Sequence, residues 1–352
     1  MNPIPYITAF AWLSLTALTF ALISHFWAAL AISAVTFVLL YRLIRYCAGR
    51  ATGSAVVALS RDDFLDYPVP PITPTRMRVV ELLGTLDELI ELNRETNVIL
   101  EDMARAMFKS WFVDFDPVRA KLEDRKPACV DAATAALFPD HFQDSEFGQI
   151  PKGWKNATIG EICEINSWSL GKNDKLDTLE YVEISEVDRG NIANIATYQR
   201  GDEPSRARRR LRHGDTVLST VRPDRGAYFL ALNPPENRVA STGFAVLTPS
   251  QAPWSFVHAA MIQQEVSDHL GHLADGGAYP AVRPEIISAI EVVIPNAPAI
   301  LNAFHQVCAP LFEMAESNRL ESGELVTLRD TLTPKLLSGE LGTEAIPQYS
   351  NA

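Results

Sequence analysis

Three patterns of apolar and polar positions follow one another along the chain. From Ile7 to Tyr41 the sequence is almost continuously apolar, and no Asp, Glu, Lys or Arg precedes Arg42. A single bilayer crossing needs about 20 such residues, so this run fits one tilted span or a tight hairpin broken near Ser24-His25. Its alternatives are a buried pair of core helices and a product of gene rearrangement over residues 1–55. A secretory signal has an apolar core of about 7–15 residues behind a basic lead, and neither feature is present. Arg42, Arg45 and Arg50 follow at once, which places what comes after on the cytoplasmic side.

The second pattern is helical and occurs twice. Val79, Leu82, Leu86, Leu89, Asn93, Thr96, Leu100, Met103 and Met107 are spaced 3,4,3,4, and so are Phe304, Val307, Leu311, Met314, Asn318, Glu321, Leu325, Leu328 and Leu332. That spacing is the seam of a coiled coil. The copies are related by one gap-free offset of 225 residues, which lays Leu65 on Ile290, Pro70 on Pro295, Asn93-Arg94 on Asn318-Arg319 and Leu100 on Leu325. An internal repeat of this kind sets the domain boundaries. In each copy a strand-like run ending in proline precedes the helix. The seams, represented by Leu86, Leu89, Asn93 and Leu100 against Leu311, Asn318, Leu325 and Leu332, predict an antiparallel coiled coil. Asn93 and Asn318 would meet near mid-length and fix its register, or else both lie on solvated flanks.

The third pattern lies between the helices. Runs at Glu180–Ile184, Thr216–Val221, Tyr228–Leu232 and Gly243–Leu247 read as strands between Gly, Pro and Asn turns, with a helix over Trp254–Gly271. The expected class is therefore α/β in the α+β sense: one mixed domain flanked by two long helices, behind an apolar helical segment. The plan is 1–55 apolar segment, 56–74 remnant of a first domain, 75–112 spacer helix, 113–150 connector, 151–298 mixed domain, 299–341 second helix and 342–352 tail.

Charge sharpens this picture. The net charge of −12 excludes a uniformly basic coat but not a local basic patch. Glu203–Gly226 holds seven arginines, three acids and no lysine. Arginine forks suit phosphate and guanine edges, so Arg206, Arg208, Arg209, Arg210, Arg212, Arg222 and Arg225, with Ser219 and Thr220, form a candidate DNA-facing edge. A merely solvated surface is the alternative. Four scattered cysteines fit a reducing compartment without disulfides. Asn233-Pro234-Pro235-Glu236 lacks the aromatic of a base-flipping methyltransferase loop, no phosphate loop exists, and His269-x-x-His272 fits a solvated helix end better than a metal site. No cofactor, metal or catalytic constellation is expected.

The stretches Ile90–Lys121 (with WFVDFDPV), Leu137–Trp154, Gly214–Pro223 (GDTVLSTVRP) and Leu328–Leu341 (LRDTLTPKLLSGEL) resemble the DNA-specificity subunits of type I restriction-modification systems, over about residues 56–341. That resemblance implies a non-catalytic subunit in which two recognition domains, held apart by two antiparallel helices, each read half of a split target in double-stranded DNA. It implies docking of modification (methyltransferase) subunits and, through them, of restriction subunits. Thr242, Tyr279 and Arg283 join the candidate DNA contacts on this ground. The chain departs from the family in keeping only the tail of a first recognition domain, so self-association would restore two domains. The expected location is cytoplasmic, with residues 7–41 tethering the chain to the inner face of the membrane. A membrane-anchored coiled-coil scaffold, or a degenerate remnant, without DNA readout is the competing reading.

Overall fold

The computed structural model describes residues 45–46, 61–66, 72–128, 130–146, 148–171, 173–277, 280–338 and 340–341. The apolar run 7–41 lies outside them, as does Tyr279. Among the described residues no helix is long and apolar enough to cross a membrane. The chain divides into two units, residues 1–86 with 327–352, and residues 87–326. In the first unit, helix α1 (Arg61–Leu65) is followed by the opening turns of α2 (Pro74–Phe112), where Val79 and Leu86 are buried. The same unit holds the last turns of the final helix, with Leu336 buried.

The second unit contains the rest of α2, the body of the 41-residue final helix α9 (Pro298–Ser338), and everything between. Both long helices begin at a proline, whose missing N–H costs nothing in a first turn. They run antiparallel, and the chemistry of the contacts shows it. Asn93 Nδ2 donates to the Asn318 carbonyl at 3.5 Å and to Glu321 at 3.1 Å, Asn318 Nδ2 donates to Asn97 at 2.9 Å, and Trp111 meets Phe304 further along.

The inward positions differ from the expected seam at every second step. Leu89, Met103, Val307, Met314 and Leu328 are 42–53% exposed. Their C-terminal neighbours Ile90, Ala104, Cys308, Ala315 and Arg329 are the more buried. Leu86 and Leu100 are buried, while Asn93, Leu311, Asn318, Leu325 and Leu332 are half-buried. The spacing is thus 4,3 where the periodicity predicts 3,4. At Ala104, Cys308 and Ala315 the inward residue is the smaller of the two: a large apolar residue weighs more in a periodicity, yet the close approach of the two helices admits the small one.

Where α2 ends, the WFVDFDPV motif turns a corner. Phe115 takes a left-handed conformation (φ 55°) ahead of α3 (Asp116–Leu122), whose first turn accommodates Pro117. Polar groups fasten this corner: Lys109 Nζ to Asp114 at 2.6 Å, Ser110 Oγ to Asp116 at 2.8 Å, and Arg119 Nε to the Asp114 carbonyl at 2.8 Å. The short helix α4 (Ala132–Leu137) follows, capped by Asp131, and then a hairpin of β1 (Phe142–Ser145) and β2 (Gly148–Pro151).

Strand β3 (Trp154–Thr158) pairs with the last strand β14 (Glu291–Pro295), Trp154 opposite Pro295, so the first and last strands of the intervening domain lie side by side. Helix α5 (Ile159–Ile162) leads to β4 (Cys163–Ile165). Strands β5 (Thr178–Val182), β6 (Val187–Asp188), β7 (Asn191–Ile192), β8 (Ala196–Gln199), β9 (Ala207–Arg210), β10 (Asp215–Ser219), β11 (Tyr228–Ala231), β12 (Arg238–Ser241) and β13 (Phe244–Pro249) build the rest. One sheet has the order β11-β10-β13-β4 and a second β8-β5-β12-β9, in which only β5 and β12 are parallel. The expected helix 254–271 is two, α6 (Trp254–Met261) and α7 (Gln264–Leu273), with α8 (Pro284–Ser288) beyond them.

Burial of both faces explains the unbroken apolar runs of the first sheet. Val217, Phe229 and Val246 point to Val182 and Ala240 of the second sheet. Their neighbours Leu218, Tyr228 and Ala245 point to a core shared with the long helices and α6. At its centre Phe112 lies 4.9 Å from Phe256, 5.1 Å from Phe304 and 5.6 Å from Trp154, ring centre to ring centre.

Candidate functional site

The sequence candidates divide into two places. Backbone hydrogen bonds gather Arg206, Ser219, Thr220, Arg222, Thr242 and Arg283 at one edge of the domain. Thr242 N donates to the Arg206 carbonyl at 2.8 Å, Thr220 donates through N and Oγ1 to the Gly243 carbonyl at 2.9 and 2.8 Å, Val282 N donates to Thr220 at 2.9 Å, and Arg222 N donates to Pro280 at 2.8 Å. Loops distant in sequence thus converge. Arg206, Thr242, Arg283 and the nearby Arg225 are exposed. Ser219 and Thr220 are buried and spend their hydroxyls on the carbonyls of Val221 and Gly243, so they hold the loops. Arg222 adopts a left-handed conformation (φ 47°), unusual for a residue with a side chain and concentrated at working surfaces.

The remaining arginines serve β9 and its neighbours. Arg210 is 6% exposed, stacks 3.9 Å from the Trp168 ring centre, and is flanked by Asp174 at 3.5 Å and Glu236 at 3.4 Å. Glu236 belongs to the Asn-Pro-Pro-Glu loop, which therefore clasps an arginine. Arg212 lies 5.1 Å from the same indole, with Glu164 3.9 Å away, and remains partly exposed. Arg208 donates to Ser205 and lies 3.8 Å from Glu203. Arg209 is half-buried, and burial lowers its pKa. A compact arginine run in sequence is thus half framework.

One cluster has no counterpart among the sequence candidates. Glu101 of α2 is 5% exposed and accepts from Arg319 of α9 at 2.5 Å and from the Tyr228 hydroxyl of β11 at 3.1 Å. Arg105 approaches the same carboxylate at 3.6 Å, contacts Tyr228, and donates Nε to the Ile262 carbonyl at 3.1 Å, where α6 gives way to α7. Burial pushes the Glu101 carboxyl up, and Arg319 and Arg105 offset only part of that. Burial and the neighbouring carboxylate push the Tyr228 phenol up as well. The latch ties the start of β11, next to the converging loops, to both helices. Its only trace in sequence is Arg319, the repeat partner of Arg94; the acid that Arg319 meets lies 218 residues away.

His258 on α6 sits below this latch, fully enclosed between Thr216 (3.3 Å from Nδ1) and the Phe312 ring at 4.9 Å. Burial, with Arg319 and Arg105 adding to it, pulls its pKa down to about 3. Burial pushes the thiols of Cys163 and Cys308 up to about 12, so both are protonated, inert core groups. His269 and His272 lie exposed on α7. Among the described residues no group of three His, Cys, Asp or Glu side chains is placed to hold a metal.

These features define a helix-braced α+β domain that presents a basic edge of converging loops. By sequence, the chain is similar to specificity subunits of type I restriction enzymes. It is 26% identical over 323 residues to the HindI specificity subunit of Haemophilus influenzae, covering 77% of this chain and 68% of that protein. It is 22% identical over 299 residues to the MjaIX specificity subunit of Methanocaldococcus jannaschii, covering 84% and 65%. The chain thus spans about two thirds of the length of these relatives. A type I S subunit structure from M. genitalium aligns over 82% of this chain and 68% of its own, with 16% identity and a TM-score of 0.47. No family model matches the sequence.

Proposed function

We propose that the chain is a DNA-binding specificity subunit that reads one half of a split target through the edge formed by the 206, 219–222, 242 and 280–283 loops. The observation that carries this is the convergence of those loops, with arginines exposed beside them, on a frame built from two antiparallel helices. Arg206, Arg222, Arg225 and Arg283 supply contacts to phosphates or guanine edges; Thr242 supplies a hydroxyl. Arg208, Arg209 and Arg210, which sequence alone puts in this role, act in the framework. The chain does no chemistry on DNA and docks modification subunits, through which restriction subunits join. It works in the cytoplasm, and residues 7–41 tether it to the membrane.

Duplex binding by the full chain across a salt series tests the reading. We expect a steep fall of affinity with salt, and a slope shallower by roughly one for each arginine neutralised, in Arg206→Gln and in Arg283→Gln. A full chain whose duplex affinity does not respond to salt overturns it. Recovery of the full chain from the soluble fraction without detergent would remove the tether.

A further inference from the structure

The loop that closes the readout edge does not stop there. Residues 222–226 run on as a 3-10 turn beside α7, where Ser267 Oγ donates to the Pro223 carbonyl at 3.0 Å. The tip of the β6–β7 hairpin, Arg189-Gly190, also rests against this turn. Arg189 N donates to the Gly226 carbonyl at 2.9 Å and Gly190 N to the Tyr228 carbonyl at 2.7 Å. The packing leaves no slack. A Cβ on Gly190 would stand 2.6 Å from both Arg319 Nη2 and Glu101 Oε1, and one on Gly226 would stand 3.2 Å from Arg189 Cγ. Arg189 itself is left-handed (φ 42°), as is Gly226.

The outcome is an arginine whose stem is laid across a glycine and whose backbone is pinned beside the buried latch, yet which remains exposed. Among the described residues no carboxylate lies within 4.0 Å of the guanidinium of Arg189 or of Arg225, although Asp188 and Asp224 adjoin them in sequence. Arg208, Arg210, Arg238 and Arg319, by comparison, all face acids. A guanidinium without a carboxylate partner, on a stem laid across Gly226 and with its backbone bonded to the residue that follows Arg225, is suited to a phosphate diester, which it meets with little cost in side-chain freedom.

We infer that Arg189, together with Arg225, forms a second DNA contact that grips the phosphate backbone beside the base-reading edge. This rests on the DNA reading above and extends it to a residue outside the arginine-rich stretch. Because backbone contact carries no base information, its test needs no knowledge of the target sequence.

The probe is a fluorescently labelled mixed-sequence duplex titrated with the full chain at several salt concentrations, with thermal unfolding of each variant alongside. Arg189→Gln is expected to keep the wild-type melting profile and to reduce the salt slope by about one; Arg189→Lys, which keeps the charge, is expected to retain the slope. Arg225→Gln should lower it by a similar amount and the double variant by about two, whereas Arg125→Gln, an arginine paired with Glu123, should leave it unchanged. A wild-type slope in Arg189→Gln overturns this inference alone. A wild-type chain without salt-dependent binding removes the DNA reading and this inference together. A slope that falls equally in Arg189→Lys and Arg189→Gln, with lowered melting, would assign Arg189 a structural role and overturn it as well.

Discussion

The two halves of the helix pair inside the second unit are built from opposite materials. Around residues 104–112 and 304–312 the contact is aromatic and dry: Phe108, Trp111, Phe112, Phe304 and Phe312 are all at most 5% exposed. Around residues 93–101 and 318–321 it is polar, an exchange of amides and carboxylates among Asn93, Asn97, Asn318, Glu321, Glu101 and Arg319. Aromatic packing tolerates small slips in registration, since one ring face resembles another. A hydrogen-bonded amide pair does not, because a slip of one turn leaves donors unpaired. The aromatic half therefore supplies adhesion and the polar half supplies alignment.

Substitutions can break this contrast in a definite order. Phe112→Ala removes a ring that touches Phe108, Trp154, Phe256 and Phe304, and should cost about 3–5 kcal/mol in chemical denaturation. Leu100→Ala, at the junction of the halves, should cost about 2–5 kcal/mol by the same measurement, and Leu325→Ala less, since Leu325 is only half-buried.

Acid should act through His258. Its folded pKa of about 3 lies below the 6.5 of the free side chain, so between those values the unfolded chain binds the extra proton. The stability this group contributes is present above pH 6.5 and declines as the pH falls toward 3; at pH 5.5 the decline should be about 1 kcal/mol. Urea unfolding of His258→Gln against wild type, at neutral pH and again at pH 5.5, reads this contribution. An identical acid slope in the two proteins would contradict it.

Smaller still, Asn318→Leu should change stability by under about 1 kcal/mol in either sense, while spin-label distances across the pair should broaden as the register loosens. At the bottom of the scale Leu89→Ala should stay within about 0.5 kcal/mol of wild type, because its side chain is largely in solvent. A larger effect there would restore the 3,4 seam.

Leu89 also marks how far the fold is legible in sequence. Periodicity locates both long helices and their facing asparagines, since a repeat at one offset is a signal carried by many residues. It places alternate seam positions one residue early, because Met103 and Met314 are larger than the Ala104 and Ala315 that fill the tight crossing, and periodicity weighs size before fit. Strands β10, β11 and β13 are visible as apolar runs; β8 and β12, with mixed composition, are not. Of the candidate contacts, Thr242 and Arg283 come from resemblance, and the structure brings them beside Arg206. The surroundings of Arg210 are not legible, because the Trp168 and Glu236 that flank it lie far along the chain and nothing local announces them. The Glu101 latch is likewise invisible to any window of sequence, its members coming from three separate elements.

The pairing of Asn93 with Asn318 also governs time. Partners 225 residues apart cannot meet early by chance alone. Even so, closing so long a loop costs only about 3 kcal/mol more than closing a hairpin of about 10 residues. The pairing of β3 with β14 shortens the search, since once Trp154 faces Pro295 the ends of both helices are neighbours. Helix α2 must then wait through the synthesis of the whole sheet domain before α9 emerges to cover it. Contacts of so long a range form slowly, and the domain between the helices acts as the clasp that closes them.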